Sequence, residues 1–330
     1  SSAASDVYKR QMYLYKIYGM IVESDIELGE AYECRESAYA QVSIRYADMQ
    51  EEIGRIEETI RTERAEWSED GQEWSVCEIN RNRSMLYYHT IGLFVISDGN
   101  LIEYTPVMDV HSPMFHQWIL NMALAIIKVE KEEIILHGSG LMLPDSNQAF
   151  LISGDSGSGK STLADYLLKR NCRFITDDVA ALSYEEDGIY IEGAYPTRRL
   201  CLNVVEQQKL KKDELTYIND GEREKYILGM KDAYWGAIPR PLKAIFILTL
   251  NHDGEEVELI EHQGSGKLQW ISNNLYRKRS YRQMGVTPKV FSQCLRIARD
   301  IPVYELRRPL HTQTVEQLAD MIFHLMDGIK

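Results

Sequence analysis

Apolar positions in the first hundred residues fall in short runs. From Tyr13 to Val22 (YLYKIYGMIV) the chain is aromatic and β-branched, which predicts a strand, and Gln41 to Tyr46 predicts another. Residues 48–66 change period. Met49, Ile53, Ile56 and Ile60 recur at threes and fours, the mark of a helix with one narrow apolar stripe and a solvated charged face. Strand signals return from Trp74 to Tyr88 and from Leu93 to Ile96, where Asp98-Gly99 closes a turn.

A different pattern begins past residue 110. Residues 113–130 read as a helix, with Ser112 placed to cap it and Pro113 at its first position. A β-rich stretch follows: Glu133 to His137, Leu141 to Leu143 and Gln148 to Ser153, with Pro144-Asp145 marking a turn between the last two. Residues 315–328 form a closing amphipathic helix ending on Gly328. The expected division is a smaller, strand-rich α+β domain over 1–110 and an α/β domain over 111–330.

Composition narrows the class. With 330 residues, 44% hydrophobic and 26% charged, the chain can bury a core in each of two domains. Residues 1–132 hold 23 acids and 12 bases, a balance of −11, leaving 27 acids and 25 bases, or −2, for the rest. The net charge of −13 argues against broad nucleic-acid binding. The apolar stretch from Trp118 to Ile127 is interrupted by Asn121 and falls short of the roughly 20 residues a membrane span needs. The five cysteines are scattered without a C-x-x-C pair, so neither a disulfide framework nor a zinc site is indicated. A cytoplasmic protein is expected.

The chemistry concentrates at one place. Directly after the apolar strand 149–153 (AFLIS) stands GDSGSGKS, which matches G-x-x-x-x-G-K-[ST] in full and is followed by an amphipathic helix. Gly154, Asp155, Ser156, Gly157, Ser158 and Gly159 would wrap backbone N–H groups around phosphate oxygens. Lys160 would reach the β/γ-phosphates, Ser161 would offer a hydroxyl to Mg²⁺, and Thr162 would lie at the positive helix end. A short strand, Cys172 to Thr176, then ends in Asp177-Asp178. The strand–helix–strand unit is expected to return the chain beside its start, so both acids face the Lys160/Ser161 site from one sheet edge. One can hold Mg²⁺ and the other can serve as a base. His137 ends a strand one hairpin earlier, and is a candidate only by that position.

Taken together, HGSGL (137–141), LISGDSGSGKSTL (151–163) and RFITDDVAAL (173–182) resemble the kinase domain of the HPr kinase/phosphorylase family. The resemblance implies a P-loop kinase fold of the HPr kinase/phosphoenolpyruvate carboxykinase type, with ATP and Mg²⁺ as cofactors and a serine hydroxyl as acceptor. It implies Asp177 as the catalytic base, Ser161 and Asp178 at the metal, and His137 against the acidic site. The region after the core departs from bacterial HPr kinase/phosphorylases. The layout is more similar to stand-alone homologues that phosphorylate ribosomally made lasso-peptide precursors, typically at the precursor's C-terminus. That implies a precursor peptide as partner, with no nucleic acid and no membrane, and is compatible with a homo-oligomer.

Candidate substrate contacts lie further on. Arg198 and Arg199 follow a proline turn and Lys225 sits in a polar loop, each able to neutralise phosphate charge or serve as a plain surface residue. Arg277 and Arg279, with Lys278 and Arg282, form a basic cluster that reads as a solvated face or as a docking surface for a peptide carboxylate. Gly264-Ser265-Gly266-Lys267 lacks the phosphate-loop spacing and is expected to be a turn. Rival readings stay open: a kinase of another protein or of a small molecule on the same scaffold, and a nucleotide-dependent switch that phosphorylates nothing. The early double aspartate favours an acceptor over a switch.

Overall fold

The computed structural model describes residues 12–29, 31, 33–34, 39–63, 75–155, 157–207, 209–219, 224–230, 236–252, 254–276, 278–310 and 312–329. Its fold is mixed α/β. The first sheet takes β1 (Tyr13–Ile17), β2 (Met20–Ser24), β3 (Val42–Tyr46), β4 (Ser75–Glu78), β5 (Arg83–Tyr88), β6 (Gly92–Ser97) and β7 (Leu101–Pro106), in the order β1-β2-β3-β7-β6-β5-β4. The run read as one strand from Tyr13 is a hairpin, because Tyr18 (φ 54°) and Gly19 (φ 74°) both adopt positive φ and reverse the chain. The run from Trp74 is likewise two paired strands, β4 and β5; Trp74 itself and residues 64–66 of the expected helix lie outside the described residues.

Both faces of this sheet are covered, and the strand period assigns the residues. Met85, Tyr87, Leu93 and Val95 pack under helix α1 (Gln50–Glu63) against Ile53, Ile56 and Ile60. Leu86, Phe94 and Ile96 point the other way, onto the segment that follows. That segment is α2 (Pro113–Gln117), a π-helical turn (Trp118–Ala123) and α3 (Leu124–Glu130) rather than one regular helix. Ser112 caps it as expected, its hydroxyl accepting from Met114 N at 3.3 Å. Phe115 inserts between Phe94 and Tyr104, with ring centroids 5.3 and 5.5 Å away, and the Tyr18 hydroxyl donates to Leu120 O at 3.1 Å.

The remaining elements are β8 (Ile135–His137), β9 (Ser139–Met142), β10 (Ala149–Gly154), α4 (Lys160–Lys169), β11 (Arg173–Thr176), β12 (Val179–Glu185), β13 (Gly188–Glu192), β14 (Thr197–Cys201), α5 (Leu202–Gln207), β15 (Thr216–Asn219), β16 (Glu224–Gly229), β17 (Arg240–Asn251), β18 (Glu258–Glu261), α6 (Gly264–Asn273), α7 (Lys278–Met284), α8 (Pro288–Asp300), β19 (Val303–Pro309) and α9 (Val315–Gly328). The central sheet runs β11-β9-β10-β17-β13-β12-β8, with β19 on the second half of β17 and β18 outside it. Strands β10, β17 and β19 are mutually parallel. The expected side-by-side pairing of β10 and β11 is not what forms. Strand β9 lies between them, antiparallel to each, so they remain parallel and end at the same edge. A three-stranded sheet, β14-β16-β15, stands beside that edge. Residues 264–267, expected as a turn, open α6, whose Leu268, Trp270 and Ile271 pack on the main core.

One apolar cluster runs from Tyr15 in β1 through Phe94 and Phe115 to Ile245 in β17 and Val303 in β19. It crosses residue 110 without a break. Among the described residues, no helix is long and apolar enough to cross a membrane.

A core shared in this way should melt as a unit. Phe115→Ala removes a fully buried ring and is expected to cost about 3–5 kcal/mol. Urea unfolding followed by both near- and far-ultraviolet circular dichroism should give one coincident transition, shifted down in the variant. Two separated transitions, with only one moved, would contradict the shared core.

Candidate active site

The phosphate-loop sequence folds as its glycines demand. Gly154 ends β10 at φ 143°, and a Cβ there would stand 2.2 Å from Leu248 O on β17, so no side chain fits. Gly159 (φ 106°) starts α4, with the Arg308 guanidinium 3.2 Å from where its Cβ would be. Gly159, Lys160, Ser161 and Thr162 at the helix start border a cavity, where the first N–H groups of a helix have no intrahelical partner. Lys160 Nζ donates to Gly154 O at 2.5 Å and to Asp155 O at 3.0 Å, two carbonyls of its own loop. Burial lowers the Lys160 pKa, against the raising effect of Asp178, Asp177 and Asp155. The Ser158 hydroxyl is buried and, among the described residues, has no hydrogen-bond partner. An orphan donor inside a loop of this shape fits a phosphate oxygen. Ser156 lies outside the described residues.

The acidic pair forms the tight turn between β11 and β12. Asp178 takes a left-handed conformation (φ 69°), which Asp tolerates better than most side chains. The turn is fixed from several sides. Gly138 N donates to Asp178 O at 3.2 Å, and His137 Nδ1, which must carry its proton to do so, donates to the same oxygen at 3.0 Å. His137 reaches this place because β8 pairs with β12, setting His137 opposite Val179. Its ring stacks on Tyr276 with centroids 6.1 Å apart, and its carbonyl accepts from Ser153 Oγ at 2.7 Å. The Asp178 carboxylate is ion-paired with Arg199 and lies 3.5 Å from His137 Nδ1. Burial pushes the Asp178 carboxyl up, but Arg199, His137, Lys225 and Lys160 together hold it below the usual carboxylate range. Asp177 accepts from Ser139 Oγ at 2.6 Å and from Arg199 N at 3.3 Å, one bond to each oxygen.

A cavity of about 1090 Å³ joins these groups. Gly157, Gly159, Lys160, Ser161, Thr162, Asp177, Asp178, His137, Arg199 and Lys225 all border it. Strand alternation on β14 separates the two arginines. Arg199 faces the acids, whereas Arg198, 2% exposed, is ion-paired with Asp165 on α4 and donates to Ser161 O at 3.4 Å. It braces the phosphate-loop helix from beneath instead of facing the cavity. Burial raises the Asp165 pKa, against the lowering effect of that guanidinium. Lys225 enters because β16 pairs Lys225 with Cys201 on β14. Of the basic cluster, the described Lys278 and Arg282 do not border the cavity. Lys278 Nζ bonds Asn273 Oδ1 at 2.6 Å, Arg279 belongs to α7, and Arg277 lies outside the described residues.

Three participants were not singled out from the sequence. Ser139 holds Asp177; its place in HGSGL gave no cue beyond the resemblance. Tyr276 backs His137. Arg308, from the end of β19, donates through Nε to Ser158 O at 2.7 Å and borders the cavity beside Lys160. Among the described residues it has no carboxylate partner, and burial lowers its pKa. Only the pairing of β19 with β17 places it there, which no local pattern encodes.

The residues fit a nucleotide triphosphate with Mg²⁺. Ser161 and Asp178 would hold the ion, with phosphate and water oxygens completing the shell, as is usual for Mg²⁺. Among the described residues, no group of three or more His, Cys, Asp or Glu side chains gathers as a self-sufficient metal cage.

No family model matches the sequence, and no curated protein does. Among solved structures, the chain is similar to the Hpr(Ser) kinase/phosphatase from Coxiella burnetii, at 16% identity over 59% of this chain and 94% of that one, with a TM-score of 0.28.

Arg198 supplies a stability test. Arg198→Met strands the Asp165 carboxylate in a buried place, and breaking such a pair typically costs about 3–5 kcal/mol. The double variant Arg198→Met/Asp165→Leu should recover most of that loss in urea melts. If the double variant is no more stable than the single one, the ion pair does not brace α4.

Proposed function

We propose that the protein is an ATP- and Mg²⁺-dependent phosphotransferase that phosphorylates a hydroxyl group. The observation that carries this reading is that Lys160, Ser161, Asp177 and Asp178 all border a single cavity. A nucleotide on the Gly154–Thr162 loop would point its terminal phosphate at the acids. Magnesium supplies neutralisation of phosphate charge when bound.

The chain's own groups then have distinct tasks. Lys160 exchanges its two loop carbonyls for phosphate oxygens. Arg199, fixed by Asp178, and Lys225 add positive charge where the transferred group would pass, and preorganised charge of this kind is the main source of catalysis in phosphoryl transfer. Asp177 is held by Ser139 and the Arg199 amide so that a free lone pair can accept the acceptor's proton. His137 holds the turn through the Asp178 carbonyl and acts as a positioning residue.

The finer assignment draws on the sequence resemblance: a serine hydroxyl of a ribosomal precursor peptide, near its C-terminus, as the acceptor. In this reading residues 111–330 carry the nucleotide and residues 1–110 help to shape the acceptor side, because Val76, Leu86 and Tyr88 border the same cavity.

Two variants separate binding from chemistry. Lys160→Ala removes the cation nearest the phosphates and should weaken ATP·Mg²⁺ binding markedly by calorimetry; unchanged affinity would remove the phosphate-loop assignment. Asp177→Asn keeps the shape without the base. It should bind ATP·Mg²⁺ near normally and transfer phosphate at least about a hundredfold more slowly, within the usual range for a general base. Near-normal turnover would deny Asp177 that role.

A further inference from the structure

The cavity bordered by the phosphate loop and the acidic pair is also bordered by Gln117, Trp118, Asn121 and Met122. A chain of contacts marks the direction: Asp178 touches His137, whose ring stacks on Tyr276, whose hydroxyl donates to Asn121 O at 3.4 Å in the π-helical turn. The acids therefore stand between the phosphate loop and that turn. Whatever occupies the far end sits on the acceptor side of the transfer, opposite the nucleotide.

The π-helical turn and the helix leading into it present two rows there. Met114, Trp118 and Met122, spaced by four, border the cavity and are partly exposed; Tyr88 backs Trp118 at a centroid distance of 5.1 Å. Beside them runs an amide row, Gln117 and Asn121, also bordering the cavity. The amide orientations are set in sequence. The Tyr195 hydroxyl donates to Asn121 Oδ1, and Asn121 Nδ2 donates to Gln117 Oε1 at 2.6 Å. Among the described residues the Gln117 Nε2 donor has no partner, although the residue is only 4% exposed. Leaving a buried donor unpaired is unfavourable, and such groups in native structures call for a ligand or another explanation. π-Helical turns of this kind recur at functional sites.

We infer that this end of the cavity is the acceptor subsite, and that it takes a peptide segment in which an apolar side chain neighbours the residue bearing the hydroxyl. The Gln117 Nε2 donates to a backbone carbonyl of that segment. The Met114–Trp118–Met122 row takes the apolar side chain, the two methionines adapting to its shape. The inference rests on the phosphotransferase reading above and adds to it where a peptide acceptor binds and which side chain must neighbour its hydroxyl residue.

The test uses the full chain, ATP·Mg²⁺ and two capped dipeptide probes, acetyl-Ser-Phe-amide and acetyl-Ser-Asp-amide, with ADP release and probe mass as readouts. The Phe probe should be phosphorylated with a KM at least about tenfold below that of the Asp probe, the equivalent of one to two ordinary contacts. Gln117→Glu keeps the bond to Asn121 but presents an oxygen in place of the donor. It should raise the Phe probe's KM about fivefold or more, the worth of one hydrogen bond, while the dissociation constant for ATP stays within about twofold. Met122→Lys should invert the preference toward the Asp probe, an effect that mere loss of packing would not produce.

Equal KM values for the two probes in the wild type, or no effect of either substitution on them, would overturn the subsite. A loss of ATP affinity in Gln117→Glu with the probes unaffected would assign the far end to the nucleotide base instead. If ATP binds but neither probe is phosphorylated, the peptide assignment fails while the phosphate-loop reading stands. If ATP does not bind the wild type, the phosphotransferase reading itself fails.

Discussion

The ion pair between Asp178 and Arg199 is the constraint on which the site depends. It holds a left-handed aspartate in a turn that would otherwise relax, and it draws β14 against the end of β11. That contact brings the Arg199 amide onto Asp177, the Lys225 charge toward Asp178, and the small three-stranded sheet over the cavity. Through the same turn the Asp178 carbonyl fixes the imidazole of His137. A partly buried pair of this kind is a poor source of net stability, since desolvation offsets most of the attraction. Its contribution here is geometric: it fixes the acidic pair at the border of the cavity that Lys160 also lines.

The edge of the sheet does the rest. Strands β10 and β11 end together although β9 separates them, so the phosphate loop and the acidic turn share one rim. On the other side of β10, the end of β19 delivers Arg308 to the outer face of the phosphate loop. Beneath, the buried Arg198–Asp165 pair ties β14 to α4, so the sheet that carries Arg199 is also braced against the helix that starts at Lys160. The placing of the acidic turn and the bracing of α4 are thus the work of neighbouring residues on one strand, Arg199 and Arg198.

Much of this was legible in the sequence, and the exceptions have physical causes. The loop at 154–161, the helix behind it and the double aspartate declared themselves because each is a local pattern: glycines where φ must be positive, a 3.6-residue period, acids at a strand end. The hairpin at Tyr18 was hidden, because its reversal places a bulky residue at positive φ where turn chemistry leads one to expect Asn or Asp. The intervening β9, the arrival of Arg308 and the burial of Arg198 are products of strand pairing at long range, to which composition is blind. The π-helical turn at Trp118–Ala123 is indistinguishable in sequence from regular helix, since one extra residue in a turn leaves the apolar pattern nearly unchanged.

The central claim is that a phosphoryl group leaves a nucleotide on one side of the acidic pair and arrives on a hydroxyl at the other. The most direct measurement is phosphorus nuclear magnetic resonance of the wild-type reaction with ATP·Mg²⁺ and a serine-containing peptide. The account predicts that the terminal phosphate signal is replaced by that of a phosphate monoester on serine, in step with ADP. Inorganic phosphate alone, released at the same rate with or without the peptide, would contradict it and leave a nucleotide hydrolase or switch in its place.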